Sequence, residues 1–120
     1  MKASIFVKSI KEYLEEYGKL YNISNEMCYP YCDLYGFTSI KGLKTQIVLI
    51  PEKEEHPYYD RINSFPEERL KLDTILDFIQ KEVDENGDRE LYYKTFNGKK
   101  EPINYWQTTY KMIVPMNLEE

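Results

Sequence analysis

The stretch LKTQIVLI, residues 43–50, decides the fold, because its second half is apolar without interruption and a proline follows it. Apolar and polar side chains do not alternate in residues 47–50, which is typical of a central strand covered on both faces. Pro51 has no amide hydrogen to donate to a neighbouring strand, so we expect the strand to end there. The stretch therefore predicts a buried strand in the middle of a sheet.

A second strand is predicted directly before it. Residues 34–40, LYGFTSI, are separated from the first stretch by Lys41 and Gly42. Glycine supplies the positive φ that a tight hairpin turn needs. The two strands are therefore expected to form a hairpin.

Residues 6–21 predict an amphipathic helix, because their apolar side chains recur at spacings of three and four. Charged residues on the other face form i,i+4 pairs of opposite sign. We expect the tyrosines of the apolar face to lie in the core. The positions of that face are Phe6, Ile10, Tyr13, Leu14, Tyr17, Leu20 and Tyr21.

A second helix is predicted after residue 64. Ser64 and Glu67 have the spacing of a capping box, and Pro66 suits a first helical turn. Asn86 and Gly87 predict a left-handed cap at its end. Its apolar face consists of Leu72, Ile75, Leu76, Ile79 and Val83.

The last third predicts a second hairpin. Residues 91–96 and 105–114 are strand-like, with a turn at Asn97 and Gly98. The order α-β-β-α-β-β indicates a single α+β domain over residues 1–120, with an antiparallel sheet and both amphipathic helices packed on one of its faces. Within the last strand one face is expected to hold Trp106, Tyr110, Met112 and Val114.

Charge and composition exclude several classes of function. The chain has 16 basic and 21 acidic side chains and a net charge of −5. Nucleic-acid binding and docking on an anionic membrane both need a basic excess, so neither is expected. No apolar run is long enough for a membrane span or a signal peptide. Two cysteines fit a reducing compartment, so we expect a cytoplasmic protein.

The motif CYPYC places Cys28 and Cys32 at C-x3-C spacing, one residue longer than redox and zinc motifs use. A zinc site would need Asp33 and His56 as further ligands, and a Cys–His dyad would need His56 as its base. A short disulfide is a further alternative. We prefer an aromatic turn fixed by Pro30, in which the cysteines act as small apolar side chains.

No other pattern indicates catalysis. In residues 84–88, DENGD, the glycine suits a calcium loop, but Tyr93 stands where such a loop needs its bidentate glutamate. Nucleotide-binding and hydrolase motifs do not occur. The sequence thus predicts a protein that is not an enzyme, with no metal, no cofactor and no small-molecule ligand.

The charged stretch PEKEEHPYYDR, residues 51–61, is the predicted partner-binding surface. Acidic charge steers a protein toward a basic partner, and tyrosines serve as anchors. The twelve tyrosines of the chain fit protein contacts as well, although codon usage is an alternative source. A solvated loop is the other interpretation. The predicted contact residues are Glu52, Glu54, Glu55, His56, Tyr58, Tyr59 and Asp60.

The layout of the chain resembles the small tail-terminator, or tail-completion, proteins of tailed phages. The resemblance lies in the opening helix, the strand pair that ends in IVLIPEKEE, the second helix and the closing TTYKMIVPMNLEE. It implies a subunit that self-assembles through sheet edges into a ring on the tail tube, without enzymatic activity and within the virion. The segment CYPYCDLYGF has no counterpart in that family.

A different function is also compatible with the charge and size. A small acidic inhibitor or regulator encoded by a mobile element would occupy a basic site on a host protein. A cysteine-dependent enzyme is the third class and the least supported. A ring subunit should oligomerise or expose long sheet edges, whereas an inhibitor should be monomeric.

Overall fold

The computed structural model describes residues 1–30, 32–52 and 69–118, and for residues 33 and 34 it describes the backbone alone. In these ranges the chain is a single compact domain with two helices and a curled, mostly antiparallel sheet. The helices are α1 (Ala3–Tyr17) and α2 (Leu72–Asn86). The strands are β1 (Cys28–Tyr29), β2 (Cys32–Gly42), β3 (Gln46–Pro51), β4 (Glu90–Lys94), β5 (Lys100–Pro102), β6 (Tyr105–Thr109) and β7 (Met112–Met116).

Strand β3 lies at the centre of the sheet β1-β2-β3-β4-β5, as predicted. Ile47, Val48 and Leu49 are buried in succession, which confirms a strand covered on both faces. Its antiparallel hairpin with β2 is also confirmed. The turn lies beyond Gly42, because Gly42 itself still pairs with Ile47.

The pairing of β3 with β4 departs from the predicted antiparallel sheet. The two strands are parallel, with Ile47 opposite Leu91. Their connection contains α2, which carries the chain back to the starting end of the sheet, so β4 runs in the same direction as β3. The predicted antiparallel sheet was therefore wrong for the pair β3 and β4, because a helix and not a hairpin connects them. Placement of both helices on one face stays a prediction.

The predicted strand 105–114 is in fact the hairpin β6–β7. Tyr110 and Lys111 have φ of 49° and 64° and form its two-residue turn, with positive φ at both positions as in a type I′ turn. Tyr110 is 78% exposed, so it does not share a buried face with Trp106 as predicted. The predicted turn at Asn97 and Gly98 is confirmed, with φ of 88° at the glycine. It joins β4 to β5, and β6 and β7 form a separate two-stranded sheet, so the predicted pairing of residues 91–96 with 105–114 was wrong.

Both helices receive their N-terminal caps from distant parts of the chain. Each is preceded by a lysine, whose side chain cannot accept a hydrogen bond. At α1 the amide and hydroxyl of Ser4 donate to Asp88. At α2 the amide of Asp73 donates to Oδ1 of Asn25 at 2.8 Å. Because α2 begins at Leu72, the predicted capping box was wrong for this helix; its residues 64–67 lie outside the described ranges.

The helix ends differ from each other. Beyond Tyr17 the chain continues in hydrogen-bonded turns to Tyr21, where Asn22 with φ of 53° completes a Schellman motif. Gly87 has the predicted positive φ, 92°, but its ψ of 157° leads into β4 instead of a left-handed cap.

One apolar core joins the two helices, the five-stranded sheet and, through Ile113, the two-stranded sheet of β6 and β7, with α1 and α2 packed against each other. Its largest fully buried side chains are Phe6, Ile10, Met27, Phe37, Ile47, Leu49, Leu72, Ile75, Ile79, Leu91 and Ile103.

We expect Asp88→Asn to destabilise the domain by up to about 1 kcal/mol, because asparagine can still accept a hydrogen bond but lacks the negative charge that is favourable at the N-terminus of α1. Burial alone would raise the pKa of Asp88, but hydrogen bonds from Ser4 and the Arg89 amide lower it below its ordinary value. A lowered pKa stabilises the fold above the unfolded pKa of about 3.9, and this stabilisation is lost as the pH falls further. Denaturant unfolding should therefore show a deficit at pH 7 that shrinks below about pH 4. Asp77→Asn, on an exposed position of α2, is the control.

Candidate interaction surface

Of the predicted contact residues, Glu52 alone lies in the described ranges, and it is buried with 3% exposure. Its Oε1 accepts from the Gly36 amide and from Nε of Arg69, each at 2.7 Å. A Cβ at Gly36 would stand 2.7 Å from that Nε, so the glycine gives the arginine its space. Glu52 therefore belongs to a buried ion pair and not to an acidic surface.

The other predicted contact residues lie outside the described residues. These are Glu54, Glu55, His56, Tyr58, Tyr59 and Asp60.

In the motif CYPYC, Cys28 and Tyr29 form β1 and Tyr29 pairs with Cys32 at the start of β2, while Tyr31 lies outside the described residues. Both cysteines are thiols, and no disulfide joins them. Cys28 is buried with Val114 and Met116 in a small apolar cluster. Tyr29 stacks on Phe96 with ring centroids 4.2 Å apart. Cys28 and Tyr29 thus both pack against apolar or aromatic neighbours, as the interpretation of an aromatic turn expects.

A groove of about 300 Å³ lies between β1 and the β6–β7 hairpin, beside the contacts that Cys28 makes with the hairpin. No group of three or more His, Cys, Asp or Glu side chains is placed to hold a metal within the described ranges. The groove is lined by Cys28, Tyr29, Cys32, Gln107, Thr109, Tyr110, Val114 and Met116.

A continuous row of aromatic rings runs from β6 along α1. Trp106 meets Tyr13 edge to face, with ring centroids 5.3 Å apart. Tyr13 lies 5.3 Å from Tyr17, and Tyr17 stacks on Tyr21 at 5.4 Å. We call Trp106, Tyr13, Tyr17 and Tyr21 the aromatic row.

The three tyrosines of this row are not the core residues that the sequence predicted. The apolar face of α1 is buried as far as Ile10, whereas Tyr13 and Tyr17 are half-buried and Tyr21 is 53% exposed. The helical turns after Tyr17 extend the predicted apolar face to Tyr21, which lies beyond the part of the helix that the core covers. A row of rings on the surface is the result.

Trp106 fixes the row to the fold. Its Nε1 donates to Oγ of Ser9 at 2.8 Å, and that hydroxyl donates to the Phe6 carbonyl.

The charge of Glu16 and a hydrogen bond with it raise the pKa of Tyr17. The phenol therefore stays neutral at physiological pH, with its hydrogen donated to the Glu16 carboxylate.

Strand β6 pairs with β7 on one side, and its other edge has no strand beside it among the described residues. Edge strands of soluble proteins are commonly protected by lysine or proline. The edge strand β5 contains both, Lys100 and Pro102. β6, with the sequence YWQTT, contains no charge and no proline. We call the side of β6 that faces away from β7 the open edge, since no described strand pairs with it.

Sequence reasoning did not find this surface. The residues were recognised as helix and strand, but which tyrosines the core covers depends on how far the sheet reaches under α1. One signal was present: three tyrosines at i, i+4 and i+8 near a helix end, and a strand with no charge in a chain that is 31% charged.

Within the parts of the chain that the structure describes, neither helix combines the length and the apolar content that a membrane crossing requires. No protein-family model, no curated protein and no solved structure matches the chain.

Proposed function

We propose that this chain is a non-enzymatic protein-interaction or assembly protein that binds its partner at the open edge of β6, with the aromatic row as anchor. The observation that supports this most is Trp106, because one residue belongs both to the open edge and to the row. Backbone hydrogen bonds at an open strand edge supply affinity, and aromatic side chains beside it supply specificity. Tyrosine and tryptophan are also the side chains that most often dominate binding energy.

The assembly subunit that the phage resemblance implies would be one form of this function, inside a virion or its precursor. The acidic inhibitor is the second form, in which a basic host protein is bound through residues 54–60. The two forms differ in what they bind. They also differ in the surface used, which is the open edge in the first and the acidic stretch in the second.

Truncating the exposed end of the row should abolish most binding. We expect Tyr17→Ala/Tyr21→Ala to lower capture of protein by the immobilised chain at least about tenfold, because hot-spot aromatics each contribute about 2 kcal/mol or more. The measurement is quantitative capture from an extract of the cells that produce the protein, counting added copies of the chain itself as well as other proteins.

Phe78→Ala is the matched control, since Phe78 is an exposed aromatic on α2 outside the row. It should capture as much protein as the wild type. Undiminished capture by the tyrosine variant would contradict the proposal, and so would a wild-type chain that binds neither itself nor any other protein.

A further inference from the structure

We infer that the partner at the open edge is a second copy of this chain, paired antiparallel through β6 about a two-fold axis at Gln107. This inference rests on the proposed function and names its partner. It comes from the charge, the length and the residue order of β6.

Charge restricts where two copies can meet. Each copy carries a net charge of −5, so two copies repel each other overall, and a surface without charged side chains lowers this repulsion where they meet. Residues 102–110, PINYWQTTY, contain no charged residue, and they include the whole of β6. Pairing of two β6 strands therefore sets no charged side chain of one strand opposite a charged side chain of the other.

The length of β6 selects one register. The strand runs from Tyr105 to Thr109, and the turn at Tyr110 has positive φ, so it cannot continue the strand. An antiparallel pair uses all five residues of both copies in one arrangement, which is centred on Gln107. A shift in either direction leaves strand residues unpaired.

The residue order suits this register. It sets Tyr105 opposite Thr109 and Trp106 opposite Thr108 of the other copy, and aromatic side chains opposite β-branched ones are favourable cross-strand pairs. Opposed residues in an antiparallel pair point to the same side of the sheet. Both aromatic rows then lie on one side of a four-stranded sheet made of β6 and β7 from each copy.

The pairing is closed. A two-fold contact uses the same edge in both copies, so neither is left with an open β6 edge for a third. It differs in this respect from a ring, in which each subunit must present two different surfaces.

Charge substitution at the axis tests the inference. In the paired state residue 107 faces itself, so Gln107→Lys and Gln107→Glu each place like charges opposite one another. Gln107 is exposed, which makes both variants compatible with the fold. We expect each variant alone to dimerise at least about tenfold more weakly than the wild type, and an equal mixture of the two to recover the dimer.

Analytical ultracentrifugation over a concentration series measures the result, and melting curves establish that each variant is folded. Thr45→Lys and Thr45→Glu, in the exposed β2–β3 turn, should dimerise as the wild type does. Charged variants that dimerise normally, or a mixture that stays monomeric, would overturn the inference. A monomeric wild type that still captures another protein through the aromatic row would overturn the second-copy inference and leave the proposed function standing.

Discussion

Ile75→Asp is expected to eliminate the cooperative unfolding transition of the domain. Ile75 is fully buried in α2 and belongs to the core that joins both helices and the sheet. Losing a buried isoleucine side chain costs about 2–5 kcal/mol, and burying an unpaired carboxylate adds several more. A domain of this size is stable by about 5–15 kcal/mol, so the sum removes most or all of it.

Phe78→Asp introduces the same carboxylate about one turn away, on the exposed side of α2. We expect it to melt close to the wild type. Circular dichroism against temperature compares the two variants. A normal melting curve for Ile75→Asp would mean that the inward face of α2 is wrongly assigned.

The second large effect is expected at the ion pair of Glu52 and Arg69. Arg69→Met removes the guanidinium that compensates the buried carboxylate, and breaking a buried pair from one side costs about 3–5 kcal/mol. The measurement is the free energy of unfolding in denaturant. Lys2→Met breaks the exposed pair with Glu90 and should cost at most about 1 kcal/mol.

The double variant Glu52→Gln/Arg69→Met separates charge from shape. Glutamine keeps an oxygen that can accept from the Gly36 amide but carries no charge, so the double variant should recover at least half of the loss. If the losses of the single variants Glu52→Gln and Arg69→Met in the free energy of unfolding simply add up in the double variant, the buried pair is not the reason for the loss.

Patterns that depend on neighbours along the chain were predictable. The buried run in β3 and the turn glycine at position 98 depend on local sequence alone, and both were predicted correctly. Gly87 has the predicted positive φ but does not form the predicted left-handed cap. The apolar spacing of α2 gave Ile75 and Ile79 their inward positions for the same reason.

Features set by distant contacts were not predictable. Asn25 and Asp88 cap helices that lie far from them in sequence, and each cap forms only after the fold has brought it there. The parallel pairing of β3 with β4 depends likewise on where α2 leaves the chain. Tyr110 and Lys111 form a turn without glycine, so the signal that normally marks a hairpin is missing.

The candidate surface shows the same difference between features set by local sequence and features set by distant contacts. Glu52 looked like part of an acidic loop because its neighbours are charged, yet Arg69 and the space left by Gly36 bury it. Tyr13 and Tyr17 were predicted to lie in the core because their spacing is that of a buried face, yet full burial on this face of α1 ends at Ile10.

Backbone hydrogen exchange of β6 tests the central claim most directly, because strand pairing must protect its amides. Exchange is followed by mass spectrometry in the free chain and in the chain bound to its partner, whether that is a second copy or a captured protein. We predict slower exchange in residues 105–109 on binding and unchanged exchange in the protected edge strand β5. Unchanged exchange in β6, with protection appearing elsewhere, would contradict a partner bound at the open edge.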